Sequence, residues 1–323
     1  MFSLKDTAQL TYIGLRALPK ALPILITRLV KGRREPFSAA IDVTSACNLR
    51  CTHCYLYRIE DTPYAMNKLP QLSDEEWLER LTRLKVEHPY ILHVTWVGGE
   101  PLMRRQLLEK GTRLFLLNWI VTNGTYSIPD HLTRTVFVVS LDGPEEHHDE
   151  LRGRGKYRIA RTNVMSTRAP VYAHCVITRR NKKAVRTLVD EWHGTRLRGI
   201  RFSFYTPAYG SDDPLWLTPQ ERDEMVDEIV ELRTAYGPFI WMTSDELAAL
   251  RSEKQLEIFG DKCALKKGWD LALDHKGRVK SPCVMGEHAD CTRCGCTVAP
   301  MVHSILKGSS NQTLVTMMRT FVG

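Results

Sequence analysis

Three cysteines, Cys47, Cys51 and Cys54, stand at C-x3-C-x2-C spacing directly after a β-branched, apolar run through Ile41, Val43 and Thr44. No other feature constrains the chain as tightly. Such a run predicts a strand, so the three thiols leave from its end on one loop. Three thiolates can ligate three irons of a [4Fe–4S] cluster and leave the fourth iron without a protein ligand. An open iron is what a cluster needs to bind a small molecule and act on it, whereas a cluster closed by four cysteines carries electrons. Zinc is the alternative, but zinc wants a fourth ligand at one of its usual spacings. His53, between two of the cysteines, is poorly placed to supply it.

The remaining cysteines bear on the compartment. Nine cysteines in a small secreted chain would announce disulfides. In 323 residues, clustered at metal-ligand spacings, they point to a reducing, cytoplasmic setting. The first residues carry Lys5 and Asp6 and read as no signal peptide. No run of 18 apolar residues predicts a membrane span. A formal charge of +8 suits anionic lipid, nucleic acid or an acidic redox partner, or is simply a basic surface.

Along the chain, residues 8–34 interleave Leu10, Ile13, Leu15, Leu18, Leu22, Ile24, Leu25, Ile26, Leu29 and Val30 with Arg16, Lys20, Arg28, Lys31, Arg33 and Arg34. This basic amphipathic segment either packs on the main domain or lies on a membrane surface. Six strands are expected at 37–44, 90–97, 114–121, 135–141, 171–178 and 200–205. Ser73 with Glu76 predicts a capped helix over 73–86. Further helices are expected near 182–192, over 218–236 and over 244–256. Strands alternating with helices predict an α/β fold with a parallel sheet, and six units suit a partial (β/α)6 TIM-like barrel. In such barrels the chemistry sits on loops after the strand C-termini, and each glycine or polar motif found here falls at such an end. The expected division is an N-terminal segment 1–36, a barrel 37–240 and a small cysteine-rich domain 241–323.

With Gly98-Gly99-Glu100-Pro101 after the second strand and Ser140-Leu-Asp142-Gly-Pro after the fourth, the cysteine loop resembles the radical SAM superfamily. The resemblance implies that the backbone of Gly98, Gly99 and Glu100 holds the amino group of the methionine of S-adenosylmethionine (SAM). It further implies that Asn123 lies at the third-strand end, that Ser140 and Asp142 approach the ribose or methionine, and that Arg152 pairs with the methionine carboxylate. Read as plain chemistry, the glycine and Asn123-Gly124 motifs are also turn signals, and Arg152 is also an ordinary surface charge. Cys175, inside a strand pattern, reads as a buried apolar residue.

Toward the C-terminus, Cys263, a hairpin turning at His275-Lys276-Gly277, Cys283, and then Cys291-Thr-Arg-Cys294-Gly-Cys296 resemble the twitch and SPASM auxiliary-cluster domains. The resemblance implies one auxiliary [4Fe–4S] cluster on Cys263, Cys283, Cys291 and Cys294, with Cys296 replacing one of them or spare. Structural zinc is the alternative here.

The family chemistry is one-electron cleavage of SAM to a 5′-deoxyadenosyl radical, which then modifies an unactivated carbon, with a flavodoxin- or ferredoxin-type reductant. No catalytic acid or base stands out. The amphipathic start favours a lipid or isoprenoid substrate, with peripheral membrane contact through residues 8–34, and the resemblance to single-cluster auxiliary domains implies a small metabolite as another. A peptide substrate is the alternative, made less favoured by the lack of a folded leader-binding module ahead of the first strand. An iron–sulfur electron carrier is the non-enzymatic alternative, and it leaves the open iron and Gly98-Gly99-Glu100 without a role. No nucleic-acid partner is expected.

Overall fold

The computed structural model describes residues 35–59 and 70–307; the amphipathic segment 8–34 lies outside them. Strands β1 (Ser38–Asp42), β2 (His93–Val97), β3 (Leu117–Thr122), β4 (Thr135–Ser140), β5 (Val171–Ile177) and β6 (Ile200–Phe204) pair in parallel in sequence order. Each begins or ends within a few residues of its expected bounds. The hairpin β7 (Asp270–Leu273) and β8 (Val279–Lys280) does not stand apart, because β7 pairs in parallel with β1 and carries the sheet to eight strands.

Alternation along each strand divides the sheet into two faces. Ile41, Trp96, Ile120, Phe137, Val139, Cys175 and Phe202 point outward, into one large core. Helices α2 (Asp74–Glu87), α3 (Arg105–Gly111), α4 (Glu145–Arg152), α5 (Lys156–Ser166), α6 (Val185–Trp192) and α7 (Pro219–Tyr236) follow in chain order; Trp77, Leu107, Leu151, Tyr157, Leu188 and Val226 on them are buried. Cys175 is fully buried there, as its setting predicted. The inner face is mixed. Near the N-terminal strand ends Trp119, Val138, Tyr172, Trp241 and Met301 form a second, smaller cluster. Toward the C-terminal ends the inner face turns polar, with Asp42, Ser140, His174 and Ser203.

Three helices of the described residues begin on capping boxes, α2 and α7 among them. Ser73 Oγ accepts from Glu76 N, and Glu76 Oε2 accepts from Ser73 N at 2.7 Å; Thr218 and Glu221 repeat the arrangement at α7. The helix expected over 244–256 is instead two, α8 (Ser244–Ala249) and α9 (Gln255–Ile258). Arg222 Nε takes the carbonyl of Leu250 at 2.6 Å, and Asp223 accepts from Ser252 N at 2.8 Å. These tertiary partners capture the backbone where the helix would have continued.

The segment that carries the C-terminal cysteines links the two ends of the sheet. Its hairpin lies on β1. Beyond Cys283, Asp290 N donates to Pro207 O at 2.9 Å and Phe204 N donates to Gly295 O at 2.9 Å, on the far side at β6. Helix α10 (Val298–Lys307) follows.

Candidate functional site

Every motif singled out above, the C-terminal cysteines aside, reaches the same edge of the sheet. Asp42 ends β1 and the cysteine loop follows; a single helical turn, α1 (Tyr55–Arg58), closes it. Gly98-Gly99-Glu100 follows β2, Asn123 follows β3, Ser140 ends β4 and Asp142 follows two residues on.

The two glycines allow β2 to meet the start of the cysteine loop. Gly99 N donates to Thr44 O at 2.7 Å and Glu100 N donates to Ala46 O at 2.8 Å. A Cβ at Gly99 would stand 2.0 Å from Ala46 O, and one at Gly98, whose φ is +117°, would stand 2.4 Å from Thr44 O. Only glycine fits such an approach. Glu100 is fully buried. One carboxylate oxygen accepts from Leu102 N (2.9 Å) and Thr122 Oγ1 (2.7 Å), the other from Asn123 N (2.8 Å). Burial raises its pKa and those three donors oppose the rise. The side chain therefore joins the ends of β2 and β3. Asn123 Nδ2 lies 2.9 Å from Asn48 Oδ1 and 3.8 Å from Cys47 Sγ, which places it on the cysteine loop.

Asp142 and Arg152 form a second buried hub. Arg152 Nε donates to Asp142 Oδ2 at 2.5 Å, and its Nη1 lies 3.8 Å from Cys51 Sγ. His53 Nε2 lies 3.0 Å from the same Asp142 oxygen, while Val176 N donates to Asp142 Oδ1 at 2.9 Å. Burial pushes the Asp142 pKa up, but Arg152 and His53 hold it well below the usual carboxylate range. The sequence expectation gave Asp142 and Arg152 to SAM. The structure engages both with each other and with His53, and Arg152 with the Cys47–Cys54 loop.

Three residues that sequence reasoning missed complete the mouth of the barrel. Lys280 Nζ donates to Asp42 Oδ2 at 2.6 Å and Tyr55 OH donates to Asp42 Oδ1 at 2.6 Å. The ammonium also lies 5.1 Å from the centre of the Tyr55 ring. Lys280 and Asp42 are nearly dry, with side chains 8% and 2% exposed, and Tyr55 is half-buried. Only the position of Tyr55, next to Cys54, could have marked it in the sequence. On the opposite side Arg58 and Tyr205 OH both reach Asp213 Oδ2 at 2.7 Å, which ties α1 to the end of β6.

The cysteine loop suits an iron–sulfur cluster by the chemistry of its donors. Cys47, Cys51 and Cys54 lie close enough for the charge of one to bear on the next. Burial pushes the Cys47 and Cys54 thiols up to about 12; Cys51 is raised too, with Arg152 opposing. Half-buried soft thiols of this kind ionise when a metal compensates them. Leu49 N already donates to Cys47 Sγ at 3.4 Å. Among the described residues no three Cys, His, Asp or Glu side chains converge on the point that a single bound ion would occupy.

A parallel partial barrel with a three-cysteine loop after its first strand and a glycine pair after its second is the arrangement that the sequence resemblance implies. Residues 41–165 match the radical SAM superfamily, and the chain carries that domain, whose cofactors are a [4Fe–4S] cluster and SAM. It is 27% identical over 169 residues to the sporulation killing factor maturation protein SkfB of Bacillus subtilis, covering 48% of this chain and 39% of that protein. It is 26% identical over 275 residues to a probable GTP 3′,8-cyclase of Methanopyrus kandleri, covering 78% of this chain and 82% of that protein. The structure of Streptococcus suis SuiB bound to the precursor peptide SuiA superposes with a TM-score of 0.61 at 16% identity, covering 83% of this chain and 64% of SuiB, and so shares the fold. The chain thus spans less than half the length of SkfB. Among the described residues no helix is long and apolar enough to cross a membrane.

Proposed function

We propose that the protein is a radical SAM enzyme that modifies a peptide. The observation that carries the radical chemistry is the half-buried Cys47–Cys51–Cys54 loop, pinned against Gly98-Gly99-Glu100 at the C-terminal edge of a parallel barrel. Cys47, Cys51 and Cys54 would hold the cluster. The backbone of Gly98 to Glu100, with Asn123 and Ser140 beside it, would line the place of SAM. When bound, the reduced cluster and SAM together supply a 5′-deoxyadenosyl radical.

The chain's own residues orient and exclude water. Glu100 and Asp142 hold the strand ends that frame the loop, and Arg152 places a fixed positive charge beside Cys51. The Asp42–Tyr55–Lys280 group and the Arg58–Asp213–Tyr205 group wall the mouth on two sides. The C-terminal cysteines would hold an auxiliary cluster across that mouth.

The peptide reading is supported by the similarity to the sporulation killing factor maturation protein and by the shared fold with SuiB bound to its precursor peptide, and it is preferred to the lipid or isoprenoid expectation. A second reading, an anionic nucleotide substrate, is favoured by the 275-residue match to the GTP cyclase. Incubation of the anaerobically reconstituted protein with SAM and dithionite, plus either a pool of synthetic peptides or GTP, separates them. The peptide reading expects a peptide of altered mass and 5′-deoxyadenosine above the substrate-free rate. Stimulation and product formation with GTP alone would replace it by the second.

A further inference from the structure

Five cysteines occupy the segment 263–296, one more than a four-thiolate [4Fe–4S] cluster uses. Three observations distinguish them. Gly295 lies flat on the end of β6: its N donates to Thr206 Oγ1 at 2.9 Å, its carbonyl accepts from Phe204 N at 2.9 Å, and a Cβ there would stand 2.2 Å from Phe204 O. Cys294 is extended, with φ −63° and ψ 134°. Cys294 Sγ accepts from Thr206 Oγ1 at 3.8 Å and from Cys296 N at 3.4 Å, so Cys294 and Cys296 sit together at the end of β6.

The second observation is packing. Cys263, Cys283, Cys294 and Cys296 all rest against the main core, and Cys291 is not among the residues that do. The third is the supply of backbone donors to sulfur. Cys294 Sγ accepts from Cys296 N at 3.4 Å, the same contact that Leu49 N makes with Cys47 Sγ. Cys283 accepts from Met285 N, and Cys296, just ahead of α10, accepts from the N–H groups of Val298 and Ala299. Such bonds stabilise a ligating thiolate. Cys291 interacts electrostatically with Cys263 and Cys283, and otherwise with Lys266, Asp290 and Asp261.

We propose that Cys263, Cys283, Cys294 and Cys296 close the auxiliary cluster, and that Cys291, the first cysteine of the C-x2-C pair, stands outside it as a free thiol. The assignment rests on reading this segment as a cluster site at all, and the experiment separates the two. In a chain with Cys47, Cys51 and Cys54 all changed to Ala, anaerobic reconstitution should retain about four irons. Zinc or no iron there would overturn the cluster reading itself. With iron present, iodoacetamide labelling of the native full-length holoprotein, mapped by mass spectrometry, should modify Cys291 and spare the other four. In the triple-Ala background, Cys291→Ser should keep the iron content and the Mössbauer spectrum of the parent, and Cys296→Ser should lose iron or convert the spectrum. Protection of Cys291 with labelling of Cys296, or loss of iron in Cys291→Ser alone, would overturn the assignment in favour of the C-x2-C pair.

Discussion

Gly99 shows how little tolerance the site has at the level of single residues. Its absent Cβ leaves room for Ala46 O and lets the amide reach Thr44 O. Gly99→Ala should force that backbone apart, and overpacking of this kind destabilises by about 1–3 kcal/mol or more. The lowered melting temperature should come with loss of iron from the Cys47 loop, measured per chain against wild type. Glu100 sits in the opposite situation, since it lacks nothing. Glu100→Gln keeps the shape but turns an acceptor into a donor against Thr122 Oγ1 and Leu102 N or against Asn123 N. One donor then goes unpaired in a dry site, at about 1–3 kcal/mol. Chemical denaturation of the two chains should show that difference; an unchanged midpoint would mean that the carboxylate is not the hub of these strand ends.

Helix α7 is the element whose stability is most open to a pH test. Glu221 completes its capping box and faces Lys182 at 2.9 Å and Arg179 at 2.9 Å. Burial would raise its pKa, but Lys182, Thr218 and Arg179 lower it to about 2. A depressed carboxylate contributes stability that is present above its ordinary pKa and lost as pH falls through the depressed one. The wild type should therefore exceed Glu221→Gln by about 1–2 kcal/mol at pH 7, after discounting for solvent screening. The difference should shrink between about pH 4.5 and 2. A difference that stays constant with pH would point to packing instead. This helix and α2 were legible in the sequence because a capping box is local, three residues across. The strands were legible by composition, though β2 and β3 begin three residues later than expected. The helix over 244–256 was misread because its break depends on Arg222 and Asp223, about 28 residues away.

Contacts of the longest range decide how the whole molecule closes, and these were the least legible. The cysteine loop and Gly98-Gly99-Glu100 could be read because their spacing is itself the chemistry. Nothing local announces that Lys280 meets Asp42, 238 residues earlier, or that Asp142 turns inward to Arg152. Lys280→Met should leave Asp42 as a buried charge without its partner and destabilise by about 3–5 kcal/mol. Adding Asp42→Asn should recover much of that loss, which a double-mutant cycle by denaturation reads directly. Additive losses would show that the hairpin is not held to β1 through this pair.

The central claim is that Cys47, Cys51 and Cys54 hold a cluster with an open iron on which SAM is cleaved. Its most direct test is the yield of 5′-deoxyadenosine from SAM and dithionite under anaerobic conditions, for the reconstituted wild type and for the chain with those three cysteines changed to Ala. The wild type should produce 5′-deoxyadenosine and the triple variant none, while the variant keeps about four irons in the C-terminal segment. Undiminished 5′-deoxyadenosine formation by the triple variant, or none from a wild type carrying its full iron, would contradict the claim.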